Sequence, residues 1–158
     1  MCIRDRYTAS RPFVPKVGEY EIPAYAPLFQ VMDILHSGVS LQRKVTFPEG
    51  LTSKKIIDVL NNAPNMTDEI ITIPDEGSLF PDTYFYTYGM SRQNIIDRAS
   101  QKFKVVLADL WATKKENLPL YSPKEAVILA SIVEQETTRP KERPLVASVF
   151  INRLKSKM

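Results

Sequence analysis

Apolar residues recur along this chain at two spacings. They alternate in short stretches and return every third or fourth position in longer ones, the periods of strands and of amphipathic helices. In the first half, residues 20–35 lie over residues 45–60 with Ile22 on Phe47, Pro23 on Pro48, Val31 on Ile56, Met32 on Ile57, Asp33 on Asp58 and Leu35 on Leu60. The register describes a duplicated unit of about 25 residues. Each copy reads as a strand, a proline-marked turn and a helix. The second turn, Pro48-Glu49-Gly50, is followed by Thr52 as a cap for a helix carrying Ile56, Ile57, Val59 and Leu60. Gly38 stops the first helix, with His36 as a residue of its C-terminal turn.

Residues 61–68 are polar and Asn-rich around Pro64, and mark the expected domain boundary. After them, 70–73 and the aromatic stretch 84–88 read as short strands, with Pro74-Asp75-Glu76-Gly77 and Phe80-Pro81-Asp82-Thr83 as turns. Ser91 caps a long helix whose apolar positions, from Ile95 and Ile96 through Ala99 and Phe103 to Leu110 and Trp111, keep helical spacing for five turns. Ser122, Pro123 and Glu125 form the strongest helix start in the chain, for a helix running to about Thr138. A last helix begins near Pro144 and is expected to bury Leu145, Val146, Val149, Phe150 and Leu154. The fold class is therefore α+β: paired strand-turn-helix elements, then a mainly helical half with a short sheet.

Composition narrows the function. The 158 residues are 44% apolar with a net charge of +3, enough for one medium core or two small ones. No Lys/Arg cluster is long enough to track phosphates, so nucleic acid is not an expected partner. Cys2 is the only cysteine and His36 the only histidine, which excludes an intrachain disulfide and argues against a zinc site. No metal and no cofactor are expected. No apolar run approaches the ~20 residues that span a bilayer, and Met1 to Arg6 hold no signal-peptide core. The abrupt opening, and a last helical pattern that reaches Met158 without a stop residue, suggest a cut at each end.

On the helix starting at Pro123, Leu129, Ile132, Val133 and Glu136 share one narrow sector, whereas Glu134 points about 160° away from Glu136 at 100° per residue. A carboxyl group over an apolar face is partly desolvated, which favours its protonated form and suits it to general-acid work on a glycosidic bond. The alternative is a solvent-facing helix-end carboxylate, or one paired with Arg139 or Arg143. Ordinary glycosidases need a second carboxylate; Glu76 and Asp82 are the candidates, each also readable as a plain turn residue. Tyr84, Phe85, Tyr86 and Tyr88 offer either a sugar-stacking platform or, by alternation, one core face. Ser131 and Ser148 have no neighbouring base and no nucleophile turn, which argues against serine hydrolysis.

The run from Leu129 through Glu134-Gln135-Glu136-Thr137, then Glu142-Arg143-Pro144 and the Asn152-Arg153-Leu154 helix, resembles the signature region of the YceG-like family, the membrane-anchored endolytic murein transglycosylases. Glu76-Gly77 with Phe80-Pro81-Asp82-Thr83-Tyr84 resembles a second motif of that family. Lys16-Val17-Gly18-Glu19-Tyr20 and Pro48-Glu49-Gly50 look like its LysM-like module. The resemblance implies a LysM-like module over 1–66 and a transglycosylase domain over 67–158, with Glu136 as catalytic acid and base. It implies cleavage between N-acetylmuramic acid and N-acetylglucosamine by the sugar's own C6 hydroxyl, leaving a 1,6-anhydro end, so that one carboxylate suffices. Glu76, Asp82, Tyr84, Asn152 and Arg153 become substrate-binding or cleft-building residues. Implied partners are peptidoglycan glycan strands and peptidoglycan synthases. The implied location is the inner membrane, through an N-terminal anchor that this sequence does not contain, with the catalytic domain on its periplasmic or extracellular side. A non-catalytic peptidoglycan-binding module, and a hydrolase that delivers water, are the alternatives.

Overall fold

Alternation at 84–86 produces the expected result: Tyr84 and Tyr86 point into the core and Phe85 points out. They lie on β2 (Thr83–Tyr86), which pairs antiparallel with β1 (Arg43–Thr46) in a two-stranded sheet, Val45 opposite Tyr84. This is the computed structural model of the chain, and it describes residues 16–70 and 72–156. The expectations about Met1 to Arg6 with Cys2, about Ile71, and about Met158 concern positions outside the described residues. Helices are α1 (Leu28–Ser37), α2 (Ser53–Asn61), α3 (Arg92–Ala112), α4 (Pro123–Glu136) and α5 (Arg143–Lys155). The arrangement is α+β, a small open sheet followed mainly by helices.

One core gathers Val45 and Phe47 beside the sheet, Ile56, Ile57 and Leu60 of α2, Tyr84 and Tyr86 of β2, and Ile95, Ile96 and Ala99 of α3. The Phe47 and Tyr84 rings meet at 5.2 Å between centroids, tilted by 42°. Residues on both sides of 61–68 thus share a core and a sheet. That stretch is held by Arg92, the first residue of α3, whose guanidinium donates to the carbonyls of Leu60, Asn61, Ala63, Met66 and Asp68. A helix leaves its last carbonyls without intrahelical partners; here a side chain from the next helix supplies donors to those of Leu60 and Asn61.

Three sequence expectations are corrected. Ile70, Thr72 and Ile73 form no strand, because the Asn61 side chain takes the place of a partner strand: its Nδ2 donates to the Ile70 carbonyl at 3.1 Å and its Oδ1 accepts from the Ile70 N–H at 3.0 Å. In the first copy of the repeat, 20–22 forms no strand and Ile22 is about half exposed; its turn, closed by the Ala26 N–H donating to the Pro23 carbonyl at 3.1 Å, and its helix, α1, do form. Gly38 ends that helix as expected, at φ 67° in the left-handed region that glycine tolerates. Finally, α5 buries none of its residues, and Leu145, Val149 and Leu154 stand exposed. Its main packing is on α4, with Val146, Phe150 and Ile151 partly buried.

Candidate functional site

The helix carrying Glu136 starts as the sequence requires. Ser122 Oγ accepts from the Glu125 N–H, and Glu125 reaches back to accept from the Tyr121 N–H at 2.8 Å, a variant of the capping box in which the glutamate bonds one residue earlier. Two glycine turns then rest against α4, one near each end. A Cβ on Gly77 would stand 3.3 Å from Val127 Cγ1, and one on Gly50 3.3 Å from Gln135 Nε2. Val127 and Glu136 are separated by ~13 Å of helix rise. The Pro48-Glu49-Gly50 turn is therefore the one beside Glu136, and the turn with Glu76 lies at the far end.

Three carboxylates crowd the junction of α4 and α5, and two are engaged. Glu134 accepts from Arg143 Nη2 at 2.8 Å. Glu142 accepts from Thr137 Oγ1 at 3.0 Å and from Arg139 Nη1 at 3.0 Å. Thr137, buried, also accepts from the Arg139 N–H, which fixes the extended backbone that ends α4 at Glu136. Arg143 Nη2 further lies 3.8 Å from Glu49 Oε2, so one guanidinium faces a carboxylate of the remote turn and one of α4. Its Nε is buried with no acceptor among the described residues, a cost of about 1–3 kcal/mol. Glu136 is exposed and has no hydrogen bond or ion pair among the described residues.

Of the two alternatives for Glu136, pairing with Arg139 or Arg143 does not occur among the described residues, since those cations pair with Glu142 and Glu134, and the carboxylate faces solvent at the helix end. The expected desolvation is absent too. Of the sector that Glu136 shares, Val133 is buried, but Ile132 is 39% exposed. Ile128, Leu129 and Ile132 instead line an open groove of about 500 Å³, closed on the other side by Phe150, Arg153 and Leu154 of α5. Glu136 stands one turn beyond Ile132 on the same face.

The remaining candidates fall elsewhere. Glu76 accepts from the Ser53 N–H at 2.9 Å and so caps α2 beside Thr52. Asp82 pairs with Lys102 and accepts from the Thr83 N–H; the Lys102 hydrogen bond, helped by that N–H, holds its carboxyl below the usual aspartate range. Tyr84 is 4% exposed, its hydroxyl donating to the Phe80 carbonyl at 2.7 Å, and burial pushes its phenol up to about 12. Of the two readings of the aromatic stretch, Tyr84 follows the core-face one: its ring packs on Phe47 in the core. Asp82 and Tyr84 border a second groove with Arg98 and Lys102, on the sheet side of α3. Of the substrate-binding candidates only Arg153 lines the groove on the Glu136 face; Asn152 is exposed on the same helix. The sequence reading missed Glu49 and Gln135 as neighbours of the site, and considered Arg143 only as a partner of Glu136, not of Glu134 and Glu49. The one signal was the Pro48-Glu49-Gly50 turn, seen as a module motif rather than as a support for α4.

A family model described as YceG-like matches residues 4–158. The chain belongs to the YceG-like family. The endolytic murein transglycosylase of Bacillus subtilis (strain 168) is 34% identical over 118 residues, which cover 74% of this chain and 29% of that protein. The endolytic murein transglycosylase of Streptococcus pneumoniae (strain D39) is 34% identical over 84 residues, 52% of this chain and 15% of that protein. The chain thus spans less than a third of the length of either relative. A crystal structure of a yceG-like protein from Listeria monocytogenes superposes with a TM-score of 0.55 and 23% identity, over 99% of this chain and 62% of that one; at that identity the likeness speaks for the fold. No helix among the described residues is long and apolar enough to cross a membrane.

Proposed function

We propose that this chain supplies the catalytic acid and base of an endolytic lytic transglycosylase, with Glu136 in that role. The observation that carries the reading is the free carboxylate: of Glu134, Glu136 and Glu142, only Glu136 is unengaged among the described residues, and it follows by one helical turn Ile132, which lines an open groove. Relatives named as endolytic murein transglycosylases support the substrate class. A glycan strand lying along Ile128, Leu129 and Ile132 would cover that face. It would thereby supply the desolvation that a neutral carboxyl group needs and that the free chain does not provide.

The protonated Glu136 passes its proton to the oxygen bridging N-acetylmuramic acid and N-acetylglucosamine, and the bond from that oxygen to the anomeric carbon breaks with its electron pair going to oxygen. The muramic C6 oxygen attacks the same carbon, and its proton goes to the Glu136 carboxylate, which restores the acid. A 1,6-anhydro end results, without water and without a second carboxylate, consistent with Glu76 and Asp82 being held by other groups. Arg153 on the opposite wall is the proposed donor to the glycan, with Asn152 beside it on α5. On this reading residues 1–66 act as the LysM-like module and 67–158 belong to the transglycosylase domain. The protein works on glycan strands outside the cytoplasmic membrane, held there by a membrane anchor and beside the peptidoglycan synthases.

Digestion of purified peptidoglycan by the full chain and by Glu136→Gln tests this. Cleavage by the parent and none by the variant is the expected result; equal cleavage by both would remove Glu136 from the mechanism. Exposed Phe85 and Tyr88, each about half accessible, favour a second reading as a glycan-binding module. Retention of glycan with no cleavage by either protein would select it.

A further inference from the structure

The last turn of α4 is fastened to a segment far away in sequence, and the fastening passes through one side chain. Arg143, at the first position of α5, donates to Glu134 on α4 at 2.8 Å and faces Glu49 of the Pro48-Glu49-Gly50 turn at 3.8 Å. Gly50 of that turn abuts the Gln135 side chain, where a Cβ would stand 3.3 Å from Nε2. Glu134 and Gln135 are the two residues before Glu136, so both contacts fix the backbone from which Glu136 projects. Thr137, immediately after it, is buried and bonded to Glu142. Glu136 itself, with no partner among the described residues, takes its direction from these neighbours.

We propose that Arg143 is the positioning residue for Glu136, and that it acts by tying the Pro48-Glu49-Gly50 turn and Glu134 to the end of the catalytic helix. The turn is then part of the catalytic machinery and not only of a substrate-binding module. Both carboxylates face the same nitrogen, Nη2, hydrogen-bonded to Glu134 and ion-paired with Glu49; arginine suits the task because its planar group holds that nitrogen in a fixed direction, whereas lysine offers a point charge on a flexible stem. A shift of about 1 Å in the acid is enough to cost up to a hundredfold in rate, so a loosened helix end is expressed in turnover before it is expressed in stability. The inference rests on the reading of Glu136 as the acid.

The test compares steady-state cleavage of soluble glycan strands by the full chain, Glu136→Gln, Arg143→Gln, Arg143→Lys and Glu49→Gln, with thermal unfolding of each. Arg143→Gln is expected to lower kcat roughly tenfold at unchanged KM, and Arg143→Lys to recover part of the loss. Glu49→Gln removes an exposed carboxylate and leaves the melting temperature in place; it is expected to lower kcat several-fold on its own and to add nothing in the Arg143→Gln background, as partners in one network do. If Arg143→Gln unfolds, Glu49→Gln decides alone: reduced kcat supports the proposal and parental kcat overturns it. A folded Arg143→Gln with parental kcat, beside an inactive Glu136→Gln, overturns the positioning role and leaves the acid intact. Cleavage that survives in Glu136→Gln, or is absent from the parent, overturns the assignment of the acid and this inference with it.

Discussion

Arg92→Ala removes the side chain that organises the passage from α2 to α3. Its guanidinium reaches five carbonyls, those of Leu60, Asn61, Ala63, Met66 and Asp68. Hydrogen bonds from a charged donor contribute about 1.5–3 kcal/mol each. The full sum is not available, because the half-buried site admits water to the outer carbonyls. The Leu60 carbonyl keeps the Ala63 N–H as a second donor at 3.1 Å, whereas those of Asn61 and the buried Ala63 accept only from this guanidinium among the described residues; losing the donor to these two sets a floor near 3 kcal/mol. We therefore expect Arg92→Ala to cost about 3–5 kcal/mol, a large share of the 5–15 kcal/mol of a typical domain. Arg92→Lys, which keeps the charge but not the fork, should cost about half as much. Urea unfolding followed by circular dichroism checks both, with a lower midpoint and an unchanged slope as the signature. An Arg92→Ala protein within about 1 kcal/mol of the parent would refute the view that this side chain holds 61–68 in place.

Other predictions follow from single contacts. Tyr84→Phe removes the hydroxyl that donates to the Phe80 carbonyl and should cost about 1 kcal/mol in urea. Because the Tyr84 phenol is raised from 10.0 to about 12 in the folded chain, its contribution is complete below pH 10 and is lost as pH rises toward 12. The parent's stability should therefore fall over that alkaline range more steeply than the variant's. Asp82 has the opposite sign: its carboxyl is held below the ordinary 3.8 by Lys102, so its contribution is present above that value and lost as pH falls through the lowered one. The melting-temperature gap between the parent and Asp82→Asn should close on acidification below pH 3.8, and a gap that persists would contradict the Lys102 pairing. Gly77→Ala puts a side chain at φ 71° and 3.3 Å from Val127, and is expected to destabilise by about 1–2 kcal/mol in the same urea assay.

Elements that depend on neighbours in sequence were legible. Ser122, Pro123 and Glu125 start α4 because capping is local, and Tyr84, Phe85 and Tyr86 sort themselves by the two-residue period of a strand. Where a distant side chain intervenes, local pattern misleads: 70–73 has strand composition, yet Asn61 satisfies the Ile70 backbone in place of a strand. The helical wheel placed Leu129, Ile132 and Glu136 on one face, but a wheel carries no information about what covers that face, and here it opens on a groove. Family resemblance singled out Glu136. What it did not supply was the pairing of Glu134 with Arg143 and of Glu142 with Thr137, which depends on how α4 and α5 meet and leaves Glu136, of these three, unpaired among the described residues.

The central claim, that Glu136 directs the sugar's own hydroxyl rather than water, is tested most directly by digesting peptidoglycan in oxygen-18 water and weighing the released fragments. The account predicts ends one water lighter than a hydrolytic product and free of the heavy isotope, with no such fragments from Glu136→Gln. Reducing ends carrying oxygen-18 would contradict it, since solvent would then be the nucleophile and a second carboxylate would have to activate it.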